Sequence, residues 1–161
     1  MVFWNKIFDE VKKDYPTIEA NQLMVDAASM MFVTHPERFG VVVTSNLFGD
    51  ILTDLGAAIC GGMGLCAGDN LNPEGKFPST FESIHGSAPD IAGQGIANPI
   101  AQIWAAADML KHFGYNEWCD KIIGAFETLL TEKKVLTRDL GGVNSTSEVG
   151  DELVNILRRG A

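Results

Sequence analysis

The sequence contains little positive charge and no long apolar run. Its 161 residues include 12 Lys and Arg against 21 Asp and Glu, which gives a net charge of −9. Because nucleic-acid phosphates are bound mainly by Lys and Arg, this balance argues against a nucleic-acid partner. No apolar run approaches the roughly 20 residues that a membrane-spanning helix needs, and the start lacks the basic-then-apolar pattern of a signal peptide. We therefore expect a soluble, cytoplasmic protein without membrane contact.

Cysteine is also scarce. The chain has three cysteines, Cys60, Cys66 and Cys119, an odd number without the CxxC spacing of many metal sites. This set is not typical of a disulfide-stabilised secreted domain or of a structural zinc site. We predict that all three are reduced thiols.

What the sequence does contain is typical of a globular protein with one core, with 46% hydrophobic and 20% charged residues. Apolar residues at helical spacing predict four helices, at 2–15, 25–32, 100–113 and 117–130. A capping box formed by Ser145 and Glu148 predicts a last helix. Residues 41–43 predict a short buried strand that leads directly into another helix, a step typical of α/β folds. Residues 61–95 are rich in glycine and proline and predict a long irregular region, interrupted by a short strand at 80–82.

The helix after the predicted strand carries Asp50 and Asp54 among apolar neighbours. Four residues are about one helical turn, so both carboxylates face the same way. Charges among Leu, Ile and Phe require a partner, and a divalent cation such as Mg²⁺ or Mn²⁺ suits two hard oxygen ligands. The alternative is structural, since Asn46 could cap this helix and acids near its start would favour the positive end of the dipole.

The stretch 82–93 is the second one that suggests chemistry. Its small residues would let the backbone approach a ligand closely. His85 could pack against a base, and Asp90 could accept hydrogen bonds from ribose hydroxyls while repelling a 2′-phosphate. The alternative is a tight loop in which Asp90 caps a turn.

Three segments taken together carry a resemblance to a known family. They are SNLFGDILTD at 45–54, HGSAPDIAG at 85–93 and GIANP at 95–99. In this order they resemble the β-decarboxylating dehydrogenases, the family of the isocitrate, isopropylmalate, tartrate and D-malate enzymes. NLNPE at 70–74 is most similar to the tartrate and D-malate branch.

The resemblance implies a fold and a division of the chain. The fold would be α/β, the isopropylmalate dehydrogenase-like three-layer fold, present here as its incomplete C-terminal half. Residues 1–60 would form part of the dimer-forming, metal-binding domain, and 61–161 the returning half of the NAD-binding domain. The parallel sheet would lack several strands, which would leave apolar faces exposed.

The resemblance also implies roles for individual residues. Asp50 and Asp54 would bind Mg²⁺ or Mn²⁺, and Asp26, which alone would be taken as an acid at a helix start, would join them across a dimer interface. His85 and Asp90 would contact the adenosine of NAD. The other residues implied at the cofactor are Glu82 near the nicotinamide, Gly86, Ser87, Ala88 and Ile91 in the loop, and Asn98 at the adenine.

The implied activity is oxidative decarboxylation of a 2-hydroxy dicarboxylate, of the D-malate or tartrate type, with 3-isopropylmalate as the alternative substrate. The arginines, tyrosine and lysine that the family uses in catalysis are expected upstream of Met1, so no catalytic residue is assigned here. We therefore expect the chain to be inactive alone. The alternatives are a non-catalytic subunit or pseudoenzyme that pairs with a full-length homologue, rather than a homodimer, and a gene fragment without a role of its own.

Overall fold

The computed structural model describes residues 2–160. Six helices and two strands occur in this part of the chain: α1 Val2–Val11, α2 Val25–Thr34, α3 Asn46–Ile59, β1 Ala67–Asn70, β2 Thr80–Ser83, α4 Ile100–His112, α5 Asn116–Glu132 and α6 Thr146–Arg159. Short 3-10 turns follow α1 and α2 and precede β1 and α6. None of the described helices is long and apolar enough to cross a membrane.

The core lies where α4, α5 and α6 meet. Ile100 begins α4, and it packs with side chains of α5 and α6 because each of these helices has an apolar stripe at helical spacing. The other buried members of this cluster are Ala125, Phe126, Leu129, Leu136, Val149, Leu153 and Ile156. The predicted helices at 100–113, 117–130 and after Ser145 are thus confirmed to within two residues.

The start of α6 has the predicted capping box. The Ser145 hydroxyl accepts a hydrogen bond from the Glu148 backbone N–H, and the Glu148 carboxylate accepts from the Ser145 backbone N–H at 2.7 Å. Hydrogen bonds from the Ser145 backbone and hydroxyl hold the pKa of Glu148 below its usual value. Two orphan N–H groups at the helix start are satisfied in this way.

The sheet consists of two antiparallel strands that lie against α4. Ala67 of β1 is opposite Ser83 of β2, and Asn70 is opposite Thr80. The strand predicted at 80–82 is confirmed, whereas β1 was not predicted, because Gly68, Asp69 and Asn70 are all poor strand formers. Pairing with β2, and not local propensity, makes these residues a strand.

The buried strand predicted at 41–43 is wrong for this chain. These residues form no strand, and Val41, Val42 and Val43 are 91%, 44% and 82% exposed. A strand needs a neighbour for its backbone hydrogen bonds, and the part of the chain that the structure describes pairs only β1 with β2. The expected consequence of an incomplete sheet, apolar side chains open to solvent, is therefore present here.

Candidate functional site

Helix α3 carries the two carboxylates that were predicted to bind a metal. Ser45 occupies the N-cap position and its side chain makes no capping hydrogen bond, so the suggestion that Asn46 caps the helix is wrong. Asn46 is the first helical residue, and its amide donates to Asp50 Oδ2 at 3.1 Å, one turn further on. Asp54 lies one turn beyond Asp50, so both acids lie on the same side of α3.

The two acids themselves lie on an exposed part of α3, although Leu52 between them is buried. Asp50 and Asp54 are exposed, and Leu47 and Ile51 beside them are 65% and 50% exposed. The argument that burial demands a charge partner therefore loses its premise within this chain. What remains is the donor chemistry, because two aspartates one turn apart present hard oxygens that suit Mg²⁺ or Mn²⁺.

Asp26 is in the first turn of α2, which packs against α3. Its Oδ1 accepts a hydrogen bond from the backbone N–H of Ala27 at 2.8 Å, and the side chain is exposed. Across residues 2–160, no three His, Cys, Asp or Glu side chains are grouped so that they could hold a metal ion. Within one chain, Asp26 therefore does not join Asp50 and Asp54 in a metal site. That Asp26 of a second chain completes the site remains a prediction.

The predicted cofactor loop leaves β2 and winds through a series of turns. Glu82, exposed on β2, accepts from the Asn70 amide at 3.3 Å, and the ring Nδ1 of His85 lies 2.9 Å from the Gly86 carbonyl oxygen. Ala88 has a positive φ of 42°, which marks a strained backbone position in the middle of the loop. Gly86 and Ser87 before it are exposed, so the loop presents small residues to solvent as a ligand-binding loop would.

The second half of this loop is closed by its own hydrogen bonds. The Ile91 backbone N–H donates to the Ala88 carbonyl at 3.0 Å, and the Gln94 side chain donates to the Asp90 carbonyl at 2.8 Å. These bonds use the backbone of Asp90 and leave its carboxylate exposed. The loop is thus tight, as the structural alternative predicted, but among the described residues the Asp90 carboxylate makes no hydrogen bond that caps a turn.

Asn98 is the buried residue of the candidate site, with 8% of its surface exposed. Its Nδ2 donates to Asp139 Oδ2 at 2.9 Å, and its Oδ1 accepts from the Ile100 backbone N–H at 3.0 Å, which ties it to the start of α4. Gly64 lies so close that an added Cβ would be 2.9 Å from both Asn98 Cβ and Asp139 Oδ2. Asn98 is therefore held rigidly at the edge of the core.

Asp139, Gly64 and Thr146 were missed by sequence reasoning. Thr146 donates its backbone N–H to the Gly95 carbonyl at 2.8 Å and its hydroxyl to the Ala97 carbonyl, so the start of α6 holds the loop before Asn98. Asp139 is 41 residues from Asn98 along the chain, and no local sequence pattern predicts a contact over that separation. Of the three residues, only Gly64 could have been suspected from the sequence, because it lies in a cluster of glycines and glycine lets other groups approach the backbone closely.

A second pair of acids lies between β1 and α4. Asp69 Oδ1 is buried without a hydrogen-bond partner among the described residues. Burial, and then the negative charge and hydrogen bond of nearby Asp108, raise the pKa of the Asp69 carboxyl. A buried carboxylate oxygen without a donor is costly, so protonation of Asp69 is favoured at this place.

Comparison with known proteins identifies the class. The family model described as isocitrate/isopropylmalate dehydrogenase matches residues 1–153, and the chain belongs to this family. The resemblance inferred from the three sequence segments is therefore confirmed.

Individual relatives are long proteins of which the chain matches a part. It is 50% identical over 159 residues to a probable tartrate dehydrogenase/decarboxylase from Bacillus subtilis, covering 99% of this chain and 45% of that protein. It is 53% identical over 150 residues to a 3-isopropylmalate dehydrogenase from Thermobifida fusca, covering 93% of this chain and 41% of that protein. The chain thus spans less than half the length of these curated relatives.

Comparison with solved structures supports the same family. The crystal structure of an isocitrate dehydrogenase from Methylococcus capsulatus matches with a TM-score of 0.86 at 43% identity, over 95% of this chain and 45% of that one. The chain therefore has the fold of part of an isocitrate/isopropylmalate dehydrogenase, as the resemblance predicted. Identities of 50% and 53% to relatives with different substrates do not distinguish between those substrates.

Proposed function

We propose that this chain supplies the metal-ligating helix and the adenosine-binding loop of an NAD-dependent, decarboxylating dehydrogenase that acts on a 2-hydroxy dicarboxylate. The observation that carries the proposal is that two of the family segments, at 45–54 and 85–93, present acids and small residues on exposed surfaces suited to binding. Helix α3 presents Asp50 and Asp54 on one face, and the loop after β2 presents its small residues and Asp90 to solvent. Family membership over residues 1–153 supports the reaction class.

The residues of this chain would bind and orient the groups that react. Asp50 and Asp54, with Asp26 from a second copy, would hold Mg²⁺ or Mn²⁺, which when bound polarises the substrate's hydroxyl and carboxylate oxygens. Asp90 would accept hydrogen bonds from the adenosine ribose and repel a 2′-phosphate, so it would select NAD over NADP. Glu82 would lie towards the nicotinamide side, and Asn98, held by Asp139, would border the adenine.

The remaining cofactor residues would shape the loop. Gly86, Ser87 and Ala88 would let the backbone approach the adenosine closely, with His85 packed on the base and Ile91 beneath the turn. The preferred substrate is of the tartrate or D-malate type, on the grounds of NLNPE at 70–74, with 3-isopropylmalate as the alternative. We place the protein in the cytoplasm as a dimer, without a nucleic-acid or membrane partner.

Ligand titration followed by NMR tests this proposal on the chain itself. Mn²⁺ should broaden resonances around Asp50 and Asp54 first, and NAD should shift those of residues 85–98. We expect dissociation constants of about 1 mM or weaker, since the chain spans under half of its relatives and half of each site would be missing. Asp50→Asn should remove the Mn²⁺ effect, whereas Asp151→Asn, an exposed acid on α6, should leave it unchanged. Broadening spread evenly over all surface acids would contradict the proposal.

A second candidate function is favoured by the exposed apolar faces of α1 and α3. The chain would be a non-catalytic subunit that pairs with a full-length homologue and completes that partner's metal site through Asp26. Co-expression with a tagged homologue and pull-down decides between the two, because the first proposal requires no such partner. Asp26→Asn should then leave the pairing intact and lower the partner's affinity for Mn²⁺. Failure of the two chains to co-purify would remove this candidate.

A further inference from the structure

The junction between α3 and β1 places two cysteines on either side of a tight turn. Cys60 follows α3 and is exposed, and Cys66 precedes β1 and is half-buried. Between them the chain reverses through Gly61 and Gly62, whose φ angles of 117° and 118° favour glycine. Neither cysteine is in a disulfide in this structure.

Contacts within the turn bring the residues beside the two cysteines together. A Cβ added at Gly61 would lie 3.1 Å from Leu65 Cδ1, so the residues next to the two cysteines are side by side. The Cys66 thiol donates to the Gly62 carbonyl oxygen at 3.7 Å, so it packs against the turn that follows Cys60. Burial, and then the proximity of Cys60, raise the pKa of the Cys66 thiol.

We propose that Cys60 and Cys66 form a reversible disulfide across this turn by exchange with a small disulfide such as oxidised glutathione. The exposed Cys60 thiolate attacks one glutathione sulfur, which breaks that S–S bond and releases one reduced glutathione. The Cys66 thiolate then attacks the Cys60 sulfur of the mixed disulfide and releases the second glutathione. The cysteine pair loses two electrons and two protons, and oxidised glutathione gains both.

The bond would act on the segment that joins the candidate metal helix to the candidate cofactor loop. Gly64, inside the bridged turn, lies against Asn98 and Asp139, and the Cys66 carbonyl accepts from the Ile84 backbone N–H at 3.2 Å. Closing a disulfide here would restrict this junction between α3 and the sheet. The inference does not depend on the proposed enzymatic activity, because thiol exchange is measured directly.

Redox titration followed by peptide mapping tests the disulfide. The purified chain is equilibrated with reduced and oxidised glutathione at a series of ratios, trapped with acid, alkylated and digested with trypsin. Both cysteines fall in the tryptic peptide 39–76, whereas Cys119 falls in another, because no Lys or Arg occurs between Arg38 and Lys76. We expect a 39–76 peptide two hydrogens lighter, without alkyl groups, in a several-fold larger fraction of native chain than of chain in concentrated urea.

Cysteine-to-serine variants identify which two cysteines form the disulfide. Cys60→Ser and Cys66→Ser should each abolish the lighter peptide, and Cys119→Ser should leave its fraction unchanged. Three results overturn the proposal: glutathione on Cys60 without cross-linking, a bond that involves Cys119, or equal cross-linking in native and urea-treated chain. The wild-type comparison does not require any variant to fold.

Discussion

Residues 2–60 and residues 61–160 differ in how they bury apolar side chains. In the first region, Ala28, Leu52 and Ala57 are the buried apolar residues, and no described residue of α1 is buried. In the second, large side chains such as Phe126 and Leu129 are 4% and 2% exposed within one helical cluster. The second region therefore has a core of its own, and the first has apolar faces without cover.

The difference shows that amphipathic pattern alone does not produce a core. Helix α1 has an apolar side, yet Phe3 and Trp4 are 72% and 52% exposed because no described element packs over them. In the curated relatives more than half of the protein lies outside the matched part, so additional chain is available there to cover such faces. The candidate metal carboxylates are on the uncovered region, and Asn98 is on the covered one.

The largest expected effect is a loss of stability when a core side chain is truncated, and it should differ between the two regions. Phe126→Ala, in the core of α5, should lower the free energy of unfolding by about 3–5 kcal/mol, because it removes a large buried side chain and leaves a cavity. Ile51→Ala, in half-exposed α3, should cost less than about 1 kcal/mol, since its side chain already contacts water. Urea unfolding followed by circular dichroism measures both. Equal losses would mean that residues 2–60 have a core as tight as that of 61–160.

The next largest effect on stability is expected where Gly64 packs closely against Asn98. Gly64→Ala should destabilise the chain by about 1–3 kcal/mol, because the new methyl would collide with Asn98 and Asp139. Gly150→Ala is the matched control: it lies inside α6 with no atom near the added Cβ, so it should stabilise by about 0.5–1 kcal/mol. Thermal unfolding of both variants provides the comparison. A stabilising Gly64→Ala would show that Asn98 is free to move.

The caps of α3 and α6 provide a smaller, paired test of the two regions. Ser145→Ala should cost about 1 kcal/mol, since it removes the hydroxyl of a complete capping box. Ser45→Ala should cost only a few tenths of a kcal/mol at most, because the Ser45 side chain makes no capping hydrogen bond. Chemical unfolding of the two variants and wild type checks this. If Ser45→Ala were as costly as Ser145→Ala, α3 would be capped in solution as α6 is.

The smallest effect on stability is expected at Asp69, which like Thr137 has a buried oxygen without a hydrogen-bond partner among the described residues of the second region. Burial and Asp108 raise its pKa in the folded chain, so the folded state binds the proton more tightly than the unfolded state. The stability that this proton contributes is present at pH values below the pKa of Asp69 in the unfolded chain. It is lost as the pH rises through the pKa of Asp69 in the folded chain. Asp69→Asn, which stays neutral, should therefore be more stable than wild type at pH 7 and show little gain at pH 3.

Thermal unfolding across this pH range measures the effect, with Asp151→Asn on exposed α6 as the control that should show no such gain. Lys111 and His112 on α4, Glu82 on β2, and Cys119 and Asp120 on α5 are other charged or titratable groups of the elements packed here. They are the same in wild type and in both variants, so their titration affects all three proteins alike. A gain for Asp69→Asn that is the same at both pH values would contradict proton binding at this pair.

Much of the helical fold could be predicted, and less of the sheet. The helices around Phe126 and Ile156 follow from apolar spacing, and the cap of α6 follows from Ser145 and Glu148 three residues apart. Strand β1 could not be predicted from Gly68, Asp69 and Asn70, because pairing with β2 decides its conformation. Residues 41–43 show the opposite error, a strand-like pattern without a strand to pair with.

The sequence by itself determined what depends on neighbours within one or two turns: the helices, the capping box, and the placement of Asp50 and Asp54 on one face of α3. These features rest on backbone geometry and on hydrogen bonds between residues three or four apart. Tertiary structure alone decided which apolar faces are covered and how Asn98 meets Asp139, 41 residues away. It also decided that Asp69 faces Asp108. Such contacts depend on how whole elements pack, and no local pattern encodes which distant residue will fill a given place.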